Sequence, residues 1–375
     1  MRQIISLLKE TRIARLEKNQ ASPDRISECA QAFDFMDREM SSRHVSEDNA
    51  EKLHEVMTSA DFTNAFGDFV TRQMLPGYNQ QTFEFERFVK PDTAPNFQNV
   101  TRKQNRQGVE DLEYVGEKGE TRPGSVADAY SKQWRVYKWE KQFDFSMEAL
   151  VNDDLGYFDD VARLMGIAAR RTLEKYVSRM MWNAVTVARL VGLGALYSTT
   201  GRLTTARVSA ARMAFGQRVD GAGERIVSPM QFIIYHSGLK DTVLTIQNSQ
   251  LVPELATNAV NVDRNFEAIE DPYCAGVAPN LPWFALTDYR QNGVIPFVLV
   301  RRAGVPGPWI GRKRSDLEFV SSLLGGGGQA PAAWGDFATG NIVVKVHDEF
   351  GTYIDAVEGN LVDFRGGYYS SGTAA

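Results

Sequence analysis

The sequence predicts an α+β chain: a long β-hairpin and one long helix, followed by a mixed α/β C-terminal half. Three patterns carry that reading. Apolar residues recur at three-four spacing near the N-terminus, large aromatics recur at strand spacing between Tyr130 and Phe145, and a proline-free amphipathic run extends from 157 to about 186. At 375 residues the chain is long for one compact core, so two or three lobes are expected.

Residues 1–60 are charged and helix-prone. Ser22-Pro23 marks a helix start, with serine as N-cap and proline in the first turn, where its missing N–H costs nothing. Ile26, Cys29, Phe33, Met36 and Met40 then form one narrow apolar stripe. A second helix is expected after Ser46, with Glu47 and Asp48 in its first turn. Stripes this narrow cannot enclose a core, so these helices must dock on the rest of the chain or on a neighbour. Residues 61–100 crowd seven phenylalanines with Pro76, Pro91 and Pro95; Phe83 and Phe85 suggest a short strand, and the prolines an extended connector.

Leu112 and Tyr114 read as strand, followed by a turn through Gly116, Gly119, Pro123 and Gly124. The return strand from Tyr130 to Phe145 carries Trp134, then Tyr137, Trp139, Phe143 and Phe145 on one face. A hairpin with a charged tip (Glu117, Lys118, Arg122) cannot bury both faces alone, and an isolated hairpin is marginal in water, so a partner is expected to cover it, with Trp134, Tyr137 and Trp139 as anchors. A short helix follows from Ser146, then the Asn152–Gly156 loop. The helix from Tyr157 would be about 45 Å long at 1.5 Å per residue, with Met165, Ala168, Tyr176 and Met180 turned to a sheet. Beyond it, a helix is expected over 203–219, a buried strand at Phe232–Tyr235, a helix over 238–247, and strands near 296–301, 316–320, 341–347 and 353–357.

Composition and motifs exclude more chemistry than they suggest. The net charge is -5, the wrong sign for a protein whose task is gripping phosphates. The chain lacks a run of eighteen apolar residues, so no membrane partner is expected. Cys29 and Cys274 are far apart and read as reduced thiols. Gly325–Gly328 lacks the lysine and hydroxyl of a phosphate loop, and Gly192-Leu193-Gly194 lacks the third glycine of a dinucleotide fingerprint. His44, His54, His236 and His347 do not pair at ligand spacing; neighbours in a strand point to opposite faces, which weakens a metal site at His347-Asp348-Glu349. Asp153-Asp154 and Asp159-Asp160 read as helix-start acids, and Arg312-Lys313-Arg314 as a solvated loop or subunit contact. No catalytic residue, metal or cofactor is expected.

The segment WRVYKWEKQFDFSMEALVNDDLG (134–156) resembles the joint between extended loop and spine helix in tailed-bacteriophage major capsid proteins of the Hong Kong 97-type fold. The 203–219 helix, Asp220-Gly221 and SPMQFIIY (228–235) look like the opening of that family's axial domain. PWFAL (282–286), Phe350-Gly351 and DFRGG (363–367) are similar to Mu-type head proteins. The resemblance covers roughly 100–370. It implies an N-terminal arm (1–60), a connector (61–100), an extended loop (101–145), a peripheral domain around the spine helix (146–200), an axial domain (201–335) and C-terminal strands returning to the peripheral domain (336–375). The arm could be retained or removed as a scaffold segment.

The function this implies is mechanical: many copies, as hexamers and pentamers, closing an icosahedral shell around the genome. Portal, scaffold or decoration proteins are further expected partners, and packaged double-stranded DNA a weak, non-specific one. The place is the virion, with assembly in the host cytoplasm. Two alternatives remain: an encapsulin-type cargo compartment, and a cytosolic enzyme with a dispersed site. Size separates the second, because an enzyme elutes as a small oligomer and a capsid protein as rings or shells.

Overall fold

The computed structural model describes residues 9–10, 13, 16–17, 23–40, 72, 74–80, 82–109, 111–124, 126–146, 157–192, 198–199, 201–220, 223–253, 259–274, 281–292, 294–312, 319–321, 327–329, 341–353 and 362–372. The expected helices after Ser46 and from Ser146 and the Asn152–Gly156 loop lie outside the described residues. In chain order the main elements are α1 (Pro23–Met40), β1 (Lys90–Ala94), β2 (Val100–Val109), β3 (Val126–Ser146), α2 (Tyr157–Met181), α3 (Ala184–Gly192), β4 (Ser198–Thr199), α4 (Thr205–Gly216), β5 (Met230–His236), α5 (Lys240–Asn248), β6 (Glu267–Asp271), β7 (Trp283–Thr287), α6 (Tyr289–Asn292), β8 (Val298–Arg302), β9 (Trp309–Arg312), β10 (Phe319–Ser321), β11 (Gly327–Gln329), β12 (Asn341–Tyr353) and β13 (Gly367–Ser370). The chain divides into two compact units: Met1–Gln80, Lys138–Arg171 and Gly307–Asp348 form one, and Gln81–Tyr137, Thr172–Pro306 and Glu349–Ala375 the other.

In the first unit α1 begins at Pro23, as the sequence predicts, and buries Cys29 and Phe33, with Ile26 half-buried. The side chains of Met36 and Met40 lie outside the described residues. Lys9 pairs with Asp34 at 2.5 Å. A separate core joins Met74, Met165, Val344 and Val346, with Phe143, Val161 and Ile310 packed against it. Here the helical residues 74–79 cross α2 backbone to backbone. A Cβ on Gly166 would stand 2.1 Å from the Met74 carbonyl oxygen, and one on Gly77 2.2 Å from that of Arg163, so only glycine permits the approach. β9 pairs antiparallel with the first half of β12, and β10 with β11.

The second unit holds a five-stranded sheet in the order β4-β13-β7-β5-β6. β5 and β6 run parallel and β5 and β7 antiparallel. Strands buried on both faces read as continuous apolar runs, and Trp283–Thr287 is buried throughout. On one face Ile233, Tyr235, Trp283, Ala285 and Tyr368 meet Val208, Ala211 and Phe215 of α4 and Val243 and Ile246 of α5. On the other, Phe232 meets Phe88, and Phe284 meets Trp182, Phe297 and Tyr369. In the same unit β1 pairs parallel with β8, β8 pairs antiparallel with Phe350–Thr352 of β12, and β2 pairs antiparallel with the first part of β3. Their core is Ala94, Trp134, Val136, Val298, Val300, Tyr353 and Val362.

Several expectations are corrected. The long helix stops at Met181, not near 186. Trp182 swings its indole N–H to the Asp271 carboxylate at 2.7 Å, and the Asn183 side chain accepts from the Val185 N–H, capping a new helix, α3. Phe83 and Phe85 belong to no strand; Phe85 opens a 3-10 turn, and both rings are buried. The helix expected at 203–219 is shorter, Thr205–Gly216, because Thr204 caps it by accepting from the Arg207 N–H. The strands expected at 341–347 and 353–357 are, over the described residues, one strand ending at Tyr353. β13 belongs to the five-stranded sheet, paired with β7.

Candidate assembly site

β2 and β3 pair antiparallel from Val100↔Trp134 to Val109↔Val126, with a register irregularity between Asn105 and Gly108. The hairpin therefore starts where the sequence places it, but its connection is longer. Leu112 and Tyr114, expected in the first strand, lie in that connection because the ladder ends at Val109. Every residue from 111 to 124 is exposed; Leu112 is 101% and Tyr114 96% exposed. The tip turns at Gly116–Gly119, closed by a 2.8 Å hydrogen bond from the Gly119 N–H to the Gly116 carbonyl. Lys118 sits there at φ 64°, a left-handed conformation uncommon for a residue with a side chain. Glu117 and Arg122 stand in solvent, with the Arg122 guanidinium 3.9 Å from Glu113.

The base of the hairpin behaves differently. Lys132, Trp134 and Val136 are buried, whereas Gln133, Arg135 and Tyr137 are exposed, the alternation of a strand with one packed face. Trp134 is 1% exposed and meets Tyr353 edge-on at 6.3 Å. Lys132 lays its ammonium 4.4 Å from the same tyrosine ring. Trp134 therefore enters the core of its own chain and is not an anchor for a neighbour: its parity places it opposite Tyr137. Tyr137 remains exposed under the Arg135 guanidinium, and Trp139 is half-buried.

Further along β3, Glu140 collects Lys138 at 2.7 Å, Lys345 at 2.8 Å and His347 Nδ1 at 2.5 Å. The two ammonium groups, Lys138 first, outweigh desolvation and hold the Glu140 carboxyl at a pKa of about 2. Trp309 packs on His347 with ring centroids 4.5 Å apart.

On α2, Met165 belongs to the first unit's core. In the second unit, Tyr176 meets Phe350 edge-on at 5.2 Å, and Met180 Sδ accepts from the Thr352 hydroxyl. Burial drives the Tyr176 phenol upward, with Tyr137 adding to the shift. Ala168 is only half-buried. Glu174 accepts from the Thr82 and Phe83 amides and from the Tyr273 hydroxyl at 3.0, 3.3 and 3.1 Å. Asp271 accepts from Ser178 and Trp182, and its pKa is raised by burial.

Sequence reasoning missed other features. Met213, Val227, Val260 and Val262 are large exposed apolar side chains of the second unit. The Asp363–Arg365 pair is buried and bidentate, at 3.0 and 2.9 Å. The two-residue spacing of opposite charges in DFRGG was the available signal for that pair. Among the described residues no group of histidine, cysteine or acidic side chains is placed to hold a metal, and no helix is long and apolar enough to cross a membrane.

An exposed tip carrying Leu112 and Tyr114 thus stands on a base packed into its own unit. The chain belongs to the phage capsid protein family, whose model matches residues 129–370. It is a shell-forming capsid protein of a structural family, whose members are virion components. The chain is also similar to a protein of Mycobacterium phage Adephagia at 11% identity, covering 77% of this chain and 89% of that one with a TM-score of 0.44. It is similar to the holo-SrpI encapsulin complex from Synechococcus elongatus at 9% identity, with 79% and 89% covered and a TM-score of 0.48, and to a virus-like particle from Pyrococcus furiosus at 11% identity, with 81% and 99% covered and a TM-score of 0.42. No curated protein matches the chain in sequence.

Proposed function

We propose that the chain is a subunit of the Hong Kong 97 type, without catalytic role, whose hairpin over 101–145 lies on a neighbouring copy. Residues 1–60 act as an arm, 146–200 with the late strand β12 as a peripheral domain around α2, and 201–335 as an axial domain meeting its copies in hexamers and pentamers. Portal, scaffold or decoration proteins bind the assembled shell, which forms in the host cytoplasm. The observation that carries this reading is the tip: Leu112 and Tyr114 are fully exposed within a segment where nothing of their own chain covers them. Side chains of that size gain burial only against another surface. One sequence in two ring sizes requires heterologous contacts that tolerate small changes of angle, and an extended hairpin is suited to that.

Deleting Glu117–Arg122 tests the reading. The subunit is expected to keep its circular dichroism spectrum and melting point yet fail to close shells in electron micrographs. Amide exchange over 111–124 is expected to be fast in isolated capsomers and slow in shells. Normal shells from the deletion variant, or equal protection in both states, would overturn the role given to the hairpin.

A further inference from the structure

Within the second unit, α3 faces the opposite way from the one its sequence favours. Its buried side carries Thr186 and Leu190, and its exposed side carries Ala184, Val185 and Ala188. Thr186 is 0% exposed, whereas Val185 is 40% exposed. A helix that shields a hydroxyl and leaves a β-branched apolar side chain in water reverses the ordinary amphipathic rule. The exposed set has a second property. Ala184, Val185 and Ala188 follow Met181 by three, four and seven residues. A helix running straight on from the end of α2 would turn them to the side that carries the buried Val177 and Met181. Thr186 and Leu190 would then face the other way. Residues 180–190 contain neither proline nor glycine, so no strong helix breaker enforces the stop. Two polar contacts hold it instead. The Trp182 indole N–H donates to Asp271, and the Asn183 side-chain oxygen accepts from the Val185 N–H at 2.8 Å. The Thr186 hydroxyl lies 3.4 Å from the Met180 carbonyl, the acceptor that an Ala184 N–H takes in a continuous helix.

We propose that Trp182 and Asn183 form a joint with two registers. In the register of this structure, α3 starts afresh at Ala184 and turns Thr186 and Leu190 inward. In the second, the helix runs through the joint and turns Ala184, Val185 and Ala188 inward. Each register forfeits what the other holds. The first keeps the cap and the indole bond but leaves apolar area in water. The second covers that area and restores the backbone bonds across the joint, at the loss of the cap. Opposing terms of similar size allow one sequence two packings, and a conflict between local pattern and observed packing is where such a device is expected. The readout lies on the five-stranded sheet of the same unit. Leu190 is seated against β13, where a Cβ on Gly367 would stand 3.7 Å from Leu190 Cδ1. A change of register withdraws Leu190 from the strand that joins β4 to β7. The joint stands on this unit alone, whether or not the chain builds shells.

The test places a reporter thiol on the buried side of α3, Thr186→Cys, in the unassembled full-length chain. Alkylation by iodoacetamide is followed on the peptide that carries residue 186, so Cys29 and Cys274 do not contribute. Asn183→Ala removes the side-chain cap and supplies a better helix former, and is expected to shift the ratio of registers about fivefold toward the continuous helix. Alkylation at 186 is therefore expected to quicken about fivefold, while amide exchange across 186–190 does not quicken, because that segment is helical in both registers. Asn183→Asp retains a capping oxygen and is expected to alkylate at the rate of the parent chain. An unchanged rate in Asn183→Ala overturns the joint. A faster rate accompanied by faster amide exchange overturns it too, since α3 then unravels and does not turn. Equal quickening in Asn183→Ala and Asn183→Asp also overturns it, because the cap is then not what holds the first register.

Discussion

The base and the tip of the hairpin differ in what holds them. At the base, Trp134 and Val136 are packed among Val298, Val300 and Tyr353 of their own unit. At the tip, residues 111–124 are exposed without exception, and the only backbone closure described there is the Gly116–Gly119 turn. The large aromatics that drew attention in the sequence are thus divided by strand parity. The even-numbered tryptophan stabilises the subunit, whereas the apolar area left for a partner sits on Leu112, Tyr114 and Tyr137. Aromatic content therefore did not locate the exposed apolar area; parity and the end of the ladder did.

Truncating one side chain at the base and two at the tip breaks the comparison most directly. Trp134→Ala removes a fully buried indole and is expected to cost about 3–5 kcal/mol of subunit stability, read as a lower denaturant midpoint. Leu112→Ser combined with Tyr114→Ser is expected to change that midpoint by less than about 0.5 kcal/mol, because both side chains are almost fully exposed. Shell yield in electron micrographs is expected to fall in the double variant even so. A tip variant that melts early, or a Trp134→Ala subunit as stable as wild type, would reverse the assignment of base and tip.

A smaller effect is expected from a single methyl group. Gly351 lies on β12 beside the hairpin base, and a Cβ there would stand 1.9 Å from the Arg135 carbonyl oxygen. Gly351→Ala must push the two strands apart, at a cost of about 1–3 kcal/mol. Amide exchange over 132–136 is expected to quicken. Gly116→Ala at the tip meets nothing within 4 Å and is expected to leave exchange there unchanged. Unaltered exchange at the base in Gly351→Ala would show that the strands are not held that closely.

What was legible in the sequence followed from local rules. The starts of α1 and α2 were readable from Pro23 and from helical periodicity, and β5 from the apolar run Phe232–Tyr235. Less legible were features fixed by tertiary partners. The stop at Met181 depends on Asp271, 89 residues from Trp182 in sequence, drawing in the indole. Phe83 and Phe85 alternate as a strand would, yet the turn is set by their burial and by Glu174 accepting the Thr82 and Phe83 amides. The close crossing at Gly77 and Gly166 left no trace beyond two glycines, both inside helices, where glycine is otherwise costly. For the candidate site, the hairpin and its charged tip were readable, but the ladder's end at Val109 was not, because Leu112 and Tyr114 alternate just as strand residues do.

The third segment of the same return strand sharpens the contrast by pH. Beyond the packed base, β3 is held at Glu140 by charge: Lys138, Lys345 and His347 converge on its carboxylate. Those partners lower the Glu140 pKa from 4.5 to about 2. An unfolded chain restores the ordinary value, so between those two pH values the unfolded state binds more protons than the folded one. Stability from this carboxylate is therefore complete above about 4.5 and disappears as pH falls toward 2. The cluster is open to water and screened by salt, so the effect is expected to be the smallest of the three. Melting curves from pH 6 to 2 are expected to show a shallower acid-side decline in Glu140→Gln than in wild type, and the difference is expected to shrink at high salt. Trp134→Ala, by contrast, is expected to lower the melting point equally at every pH in that range, since no proton is taken up at the apolar base. Identical acid slopes in wild type and Glu140→Gln would mean that the charge cluster adds nothing to the strand, leaving packing at the base as its sole support.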